Sequence, residues 1–88
     1  MPTESTYGAI LAEVIAIARS VFEDPSLELT LETTSDEVPR WDSLAHIALV
    51  VEAECHFDIK FQVAEIEEIK NVGELVRLIQ AKLELVAA

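Results

Sequence analysis

Apolar residues recur at intervals of three and four through most of this chain, which is the spacing of one face of an α-helix. The first such segment predicts a helix from about Thr6 to Phe22. A second predicted helix begins at Ser43 and is expected to end near Glu54 or Cys55. Helices are therefore the main elements that the pattern predicts.

Two further helical segments follow towards the end of the chain. The segment from Val63 to Ile69 has room for only a turn or two, with Val63, Ile66 and Ile69 expected inward and the intervening glutamates outward. Asn71 is expected to cap the last helix, which should end near Leu85. Three longer helices and one short helix predict an all-α four-helix bundle.

The segment from Glu23 to Asp42 interrupts the helical pattern. It contains two prolines, several Ser and Thr residues and many acidic residues, with Arg40 as its one basic residue. Loops of this length are uncommon in compact domains unless they are functional or anchored. Three alternating leucines are expected to hold the loop against the core: Leu27, Leu29 and Leu31.

The helix that begins at Ser43 is apolar on two opposite faces. One face carries Leu44, Ile47, Ala48 and Val51. The other carries His46, Leu49, Val50 and Ala53, in line with Phe57. Since a small domain cannot easily bury both sides of a helix, the face that adjoins Ser43 is predicted to be exposed. The alternative is that the long loop and the short helix cover both faces.

Length and composition limit the class of protein. The 88 residues, 51% of them hydrophobic, predict one domain over residues 1–88 with its core at about 7–84. Cys55 is the single cysteine, so it cannot form an internal disulfide, and it is expected to be partly buried. With no signal peptide and no apolar run of roughly 18 residues, we expect a soluble, cytoplasmic monomer.

The chain is strongly acidic, with seventeen acidic and six basic residues and a formal net charge of −11. Long-range repulsion then opposes binding to nucleic acids and to anionic membranes, and partners are expected to present basic surfaces. Solubility alone is an equally good explanation of this acidity, because net charge bears on association and not on the fold.

Ser43 lies where the acidic loop meets the second helix, with Asp42 or Ser43 itself as the cap. The free N–H groups and the positive dipole end of a helix N-terminus stabilise a phosphate, so Ser43 could bear a phosphodiester. Asp42-Ser43-Leu44 before an apolar helix resembles the prosthetic-group site of acyl carrier proteins. The resemblance extends over about residues 7–84 through Phe57-Asp58-Ile59, Ile66, Ile69, Asn71-Val72-Gly73-Glu74-Leu75 and Ile79.

The resemblance implies a non-catalytic carrier with the four-helix fold of that family. A Mg²⁺-dependent phosphopantetheinyl transferase would attach 4′-phosphopantetheine from coenzyme A to Ser43, and acyl groups would then be carried as thioesters. Asp42 would orient Ser43 or the metal ion of the transferase, or serve as the helix cap, or do both.

The resemblance also implies two sets of contact residues. Acyl-loading and acyl-processing enzymes with basic or apolar docking surfaces would contact Leu44, Ile47, Ala48, Val51 and Glu52. Part of the acyl cargo would be sheltered near Leu49, Phe57, Ile66 and Ile69, although these four could equally be ordinary core residues.

One departure from the family pattern concerns the acidic residues that fatty acid carriers often place just after the serine. Here Ala45, His46 and Ala48 occupy that stretch. This favours a specialised carrier, of polyketide-type or other secondary acyl chemistry. The alternatives are a fatty acid synthesis carrier and an unmodified helical protein-interaction module.

Other chemistry is weighed against the carrier hypothesis. Asp42, Ser43 and His46 have the residue types of a hydrolase triad, but proximity in sequence does not make a triad. The two histidines and Cys55 lack the spacing of a zinc site, so no metal is predicted. Trp41 is expected to pack against the loop or helix ends, with a role in partner binding as the alternative.

Overall fold

Four α-helices make up the fold in the computed structural model, which describes residues 3–87 and the side-chain surroundings of residues 8–84. They are α1 (Thr3–Val21), α2 (Ser43–Phe57), α3 (Val63–Glu68) and α4 (Val72–Ala87). A short 3-10 helix at Ser35–Glu37 lies in the loop between α1 and α2. The predicted all-α bundle of three longer helices and one short helix is confirmed.

The core forms where α1 packs on α4 and on α2. Three buried side chains at four-residue intervals line the inner face of α1: Ile10, Val14 and Ala18. Phe22, the residue directly after α1, is buried as well and continues the row. The matching stripe of α4 consists of Val72, Leu75, Val76 and Ile79. Within residues 3–87, no helix combines the length and the apolar character that spanning a membrane requires.

The long loop is anchored at several points. Leu29 is buried, and Leu27 and Leu31 pack against the core, so the predicted role of these leucines is confirmed. The backbone of the loop also pairs with the start of α4, since the Val72 N–H donates to the Thr33 carbonyl oxygen at 3.0 Å. These contacts explain how a loop of this length can belong to a small domain.

Helix boundaries differ from the predictions by two or three residues at most. α1 begins at Thr3 and ends at Val21, and α4 extends to Ala87. α2 continues past Cys55 to Phe57, because Asp58 in the left-handed conformation (φ 58°) ends it. The Ile59 N–H then binds the Glu54 carbonyl oxygen at 3.1 Å.

Two predictions about α3 are wrong. Val63 is 72% exposed instead of inward, because it is the first residue of α3 and its side chain tilts towards the helix N-terminus, away from the core. Glu65 is half-buried instead of outward, since it forms an ion pair with Lys82 of α4 at 3.0 Å. Of the apolar residues predicted inward, Ile69 is buried and Ile66 is partly buried.

Candidate functional site

Ser43 is the first residue of α2 and is exposed. Asp42 is the N-cap: its carboxylate accepts a hydrogen bond from the Ala45 N–H at 2.8 Å, and its carbonyl oxygen accepts one from the His46 N–H at 2.8 Å. Of the two caps considered, Asp42 therefore fills the position. The N–H groups of Ser43 and Leu44 face the N-terminal end, where the helix dipole favours a phosphate.

The face of α2 that adjoins Ser43 is open to solvent. Leu44 is 82% exposed, Ile47 49% and Val51 45%. Ala48 and Glu52 are exposed as well. The opposite face is the core face, where Leu49, Val50 and Ala53 are buried. The predicted exposed face is confirmed, and the alternative that the loop and α3 cover both faces is wrong.

An open depression of about 850 Å³ lies beside Ser43. The loop, the first turn of α2 and the end of α3 surround it. Its apolar wall consists of Trp41, Ile47, Ile66 and Ile69. Its charged rim consists of Asp36, Asp42, Glu67 and Lys70. A group attached to the Ser43 hydroxyl can therefore meet both apolar and charged side chains.

His46 bridges two other elements at the floor of this site. The Trp41 indole Nε1–H donates to His46 Nδ1 at 3.0 Å, and His46 Nε2 lies 3.0 Å from the Ile66 carbonyl oxygen. An indole N–H can only donate and a carbonyl can only accept, so the ring is the neutral tautomer with its proton on Nε2. Both ring nitrogens are thus engaged, which leaves neither free to take a proton from Ser43. This geometry argues against the hydrolase alternative.

Trp41 packs as predicted against the loop and helix ends. It is 5% exposed, and its ring centroid lies 6.1 Å from that of Phe22 and 6.0 Å from that of His46, whose ring is inclined to it by 25° and meets it edge to edge through the hydrogen bond. A side chain buried in this way supports the wall of the depression from the protein interior. Direct contact between Trp41 and a partner is therefore disfavoured.

An ion pair ties α3 to α4. Glu65 accepts a hydrogen bond from the Gln62 N–H at 2.8 Å and pairs with Lys82, whose ammonium group also lies 5.5 Å from the centre of the Phe61 ring. The Gln62 N–H, followed by Lys82, lowers the pKa of Glu65 below its ordinary value. α3 is therefore held on this side by a charged contact as well as by Ile69.

The four predicted acyl-pocket residues do not share one surface. Ile66 and Ile69 line the depression beside Ser43, whereas Leu49 and Phe57 do not. Leu49 is 2% exposed and belongs to the central core, and Phe57 is half-buried at the end of α2. The assignment of these four residues to a pocket stays a prediction.

Several residues of the depression were not identified from the sequence. Ser35 and Asp36 belong to the 3-10 helix of the preceding loop and Lys70 follows α3, and the fold brings all three to the depression beside Ser43. The role of His46 depends on the carbonyl of Ile66. No local pattern signals contacts of this kind.

Cys55 is exposed, so its predicted partial burial is wrong: it lies on the outer side of α2. Among residues 3–87, no three His, Cys, Asp or Glu side chains cluster so as to hold a metal ion.

Comparisons with known proteins point to a phosphopantetheine-binding family. The family described as "Phosphopantetheine attachment site" matches residues 12–79. A solution NMR structure of a holo acyl carrier protein from Geobacter metallireducens is 42% identical in sequence, with a TM-score of 0.82 and with 88% of each chain covered. The comparison with curated proteins found no match.

The matched residues span most of the chain and include α2, α3 and the depression between them. Sequence identity of 42% over 88% of both chains extends the likeness beyond the fold. Domains of this kind are generally non-catalytic and act through a covalently attached arm. The chain belongs to the acyl carrier protein family of phosphopantetheine-binding domains, and 4′-phosphopantetheine is its covalent cofactor.

Proposed function

We propose that Ser43 is the attachment residue for 4′-phosphopantetheine. The observation that carries this proposal is the exposed position of Ser43 as the first residue of α2, beside an open depression. In the attachment step, catalysed by a phosphopantetheinyl transferase, the Ser43 hydroxyl loses its proton and attacks the β-phosphorus of coenzyme A, which breaks the pyrophosphate bond, releases adenosine 3′,5′-bisphosphate and leaves a phosphodiester on Ser43. The terminal thiol of the arm then holds an acyl group as a thioester. The free N–H groups at the start of α2 favour the phosphate at this point.

The other serines in the matched region are poorer candidates. Ser20 lies in the last turn of α1, where the helix dipole disfavours a phosphate. The Ser26 hydroxyl donates to Asp24 at 2.8 Å. Ser35 lines the same depression as Ser43, but it begins a helix of only three residues. Ser35 is thus the natural control for Ser43.

Partner enzymes are proposed to dock on the exposed face of α2. Leu44, Ile47, Ala48 and Val51 supply apolar contact next to the arm, and Glu52 supplies a charge at the far end. This is the composition of an interface centre with a polar rim. The net charge of −11 favours partners with basic surfaces, because complementary charge increases the rate of association more than it strengthens the complex. The carrier is proposed to act as a cytoplasmic monomer.

The cargo is proposed to be acyl intermediates of a specialised, polyketide-type or other secondary pathway. The first two turns of α2 after Ser43 present Ala45, His46 and Ala48 in place of acidic residues. The exposed acidic residues that line the depression with Ser43 are instead in the loop and in α3, at Asp36, Asp42 and Glu67. Cargo shelter near Leu49, Phe57, Ile66 and Ile69 remains part of this proposal.

The attachment site is tested by intact mass. The protein is incubated with coenzyme A, Mg²⁺ and a broad-specificity phosphopantetheinyl transferase, and the mass of wild type, Ser43→Ala and Ser35→Ala is measured. We expect wild type and Ser35→Ala to gain one phosphopantetheinyl group and Ser43→Ala to gain none. Modification of Ser43→Ala would show that the site is wrong, and an unmodified wild type would favour the interaction-module alternative.

A further inference from the structure

The position of α3 cannot come from the helix itself. It has only six residues, and isolated helices of this length are not stable in water. Its C-terminal end is fixed by the burial of Ile69, whose N–H donates to the Ile66 carbonyl oxygen at 3.3 Å. On the α4 side it is held by the pair of Glu65 with Lys82. On the Ser43 side, the hydrogen bond from His46 to the Ile66 carbonyl oxygen joins it to α2, in addition to the packing of the Ile66 side chain against the core.

We propose that His46 is a positioning residue: as the neutral Nε2–H tautomer, it ties the end of α3 to Trp41 and so fixes the depression in which Ser43 is presented. The ring accepts from the Trp41 indole and donates to the carbonyl of Ile66, so a single side chain spans the loop, α2 and α3. Its effect on arm attachment rests on Ser43 being the modified residue.

The geometry gives His46 this role for two reasons. Both of its bonds are 3.0 Å long and lie in a partly buried region, where hydrogen bonds are stronger than in water. The carbonyl that it holds belongs to Ile66, and Ile66, Glu67 and Ile69 all line the depression beside Ser43. Release of this carbonyl would therefore displace the α3 side of the site while the α2 side stays in place.

The tautomer is tested first, on the wild-type protein without the arm. Imidazole ¹⁵N NMR at about pH 8, where a histidine is ordinarily neutral, distinguishes a protonated Nε2 from a protonated Nδ1. We expect His46 to show a protonated Nε2 and an unprotonated Nδ1. In Trp41→Phe, which keeps an aromatic ring against Phe22, the two ring signals should move towards averaged positions. A protonated Nδ1 or averaged tautomers in wild type would overturn the proposal.

The restraint on α3 is tested by amide hydrogen exchange. His46→Phe keeps a ring of similar size and removes both bonds, so exchange at the Ile69 amide should accelerate about tenfold. His56→Phe is the matched control, because His56 is on the same helix and pairs with Glu13 of α1 at 2.8 Å, away from α3. It should leave exchange at Ile69 unchanged. Equal exchange in wild type and His46→Phe would overturn the proposal.

The consequence for attachment is tested with the transferase. His46→Phe should raise the KM for the carrier about fivefold and leave kcat within about twofold, because a loosened surface must be ordered before it is bound. A loss of kcat with KM unchanged would overturn the positioning role. If wild type is never modified, the proposed function fails, whereas the tautomer and exchange measurements still decide the role of His46.

Should His46→Phe fold poorly, Trp41→Phe serves as the second variant. It removes only the indole donor, so exchange at Ile69 should accelerate by less than the roughly tenfold effect of removing both bonds, and exchange equal to that of wild type would overturn the proposal. The two substitutions combined should cost less than the sum of their separate effects, because both break the same bridge. Strict additivity would overturn the proposal.

Discussion

The Gly73 N–H donates a hydrogen bond to the Leu31 carbonyl oxygen at 2.7 Å, so the loop and the first turn of α4 meet backbone to backbone. A Cβ atom at Gly73 would lie 2.8 Å from that same oxygen. Only glycine permits this approach without a shift of the loop. The contact fixes the loop at a point distant from Ser43 in sequence, and it supports the segment that leads to the site.

Gly73→Ala is therefore expected to destabilise the protein by about 2 kcal/mol, through a steric clash and a weakened hydrogen bond. Chemical denaturation followed by circular dichroism measures the change. The matched control is Gly8→Ala within α1, where a Cβ would meet nothing within 4 Å. Gly8→Ala should stabilise the helix by about 0.5–1 kcal/mol. Equal effects at both glycines would contradict the steric argument.

Adjacent residues of α2 should respond in opposite ways to a charge. Val51 is 45% exposed, and Val50 is 1% exposed. Val51→Lys should leave helicity and the melting temperature nearly unchanged but impair turnover by a partner enzyme, since it places a charge on the proposed docking face. Val50→Lys should unfold the domain, because a buried, unpaired ammonium group is very costly. Unfolding of Val51→Lys would show that its face belongs to the core.

The cap and the chemistry at Asp42 can be separated with a single substitution. Asn caps a helix as well as Asp does, so Asp42→Asn should change the free energy of unfolding by only a few tenths of a kcal/mol, whereas Asp42→Ala should cost about 1 kcal/mol. If the carboxylate also orients the serine or the metal ion of the transferase, Asp42→Asn should slow arm attachment despite its intact fold. A rate equal to wild type would restrict Asp42 to capping.

The pair of Glu65 and Lys82 should make stability depend on pH. Folding lowers the pKa of Glu65, so the stabilisation is fully present above the ordinary value of 4.5 and is lost as the pH falls through the lowered value. Glu65→Gln should cost about 0.5–1 kcal/mol near neutral pH. The difference in the free energy of unfolding between Glu65→Gln and wild type should vanish in acid. Urea denaturation at a series of pH values from neutral to acid measures this difference.

Glu68→Gln is the control for this pH dependence, since Glu68 is an exposed residue of the same helix. Its free energy of unfolding should differ little from that of wild type at every pH. A Glu65→Gln difference that persists in acid would mean that packing, and not the charge of the carboxylate, accounts for the lost stability.

Helical periodicity and local signals were sufficient to predict four helices, the cap at Asn71 and the exposed face of α2. Asn71 accepts from the Glu74 N–H at 2.8 Å, as its spacing predicted. In a capping box, the Glu74 carboxylate would also accept a hydrogen bond from the Asn71 N–H, but here it accepts one from the Lys70 N–H at 2.6 Å. The inward position predicted for Val63 was wrong because a six-residue helix offers too few positions for a periodic pattern to define its inner face.

The sequence by itself determined the helices and the placement of Ser43 at a helix N-terminus, because these depend on neighbours three or four residues apart. The order of its motifs also gave the resemblance to acyl carrier proteins. Only the tertiary structure decided what surrounds Ser43. It brought Ser35 and Lys70 to the depression beside Ser43 and joined His46 to the carbonyl of Ile66. Contacts between residues far apart in the chain depend on how helices pack, and no local spacing encodes them.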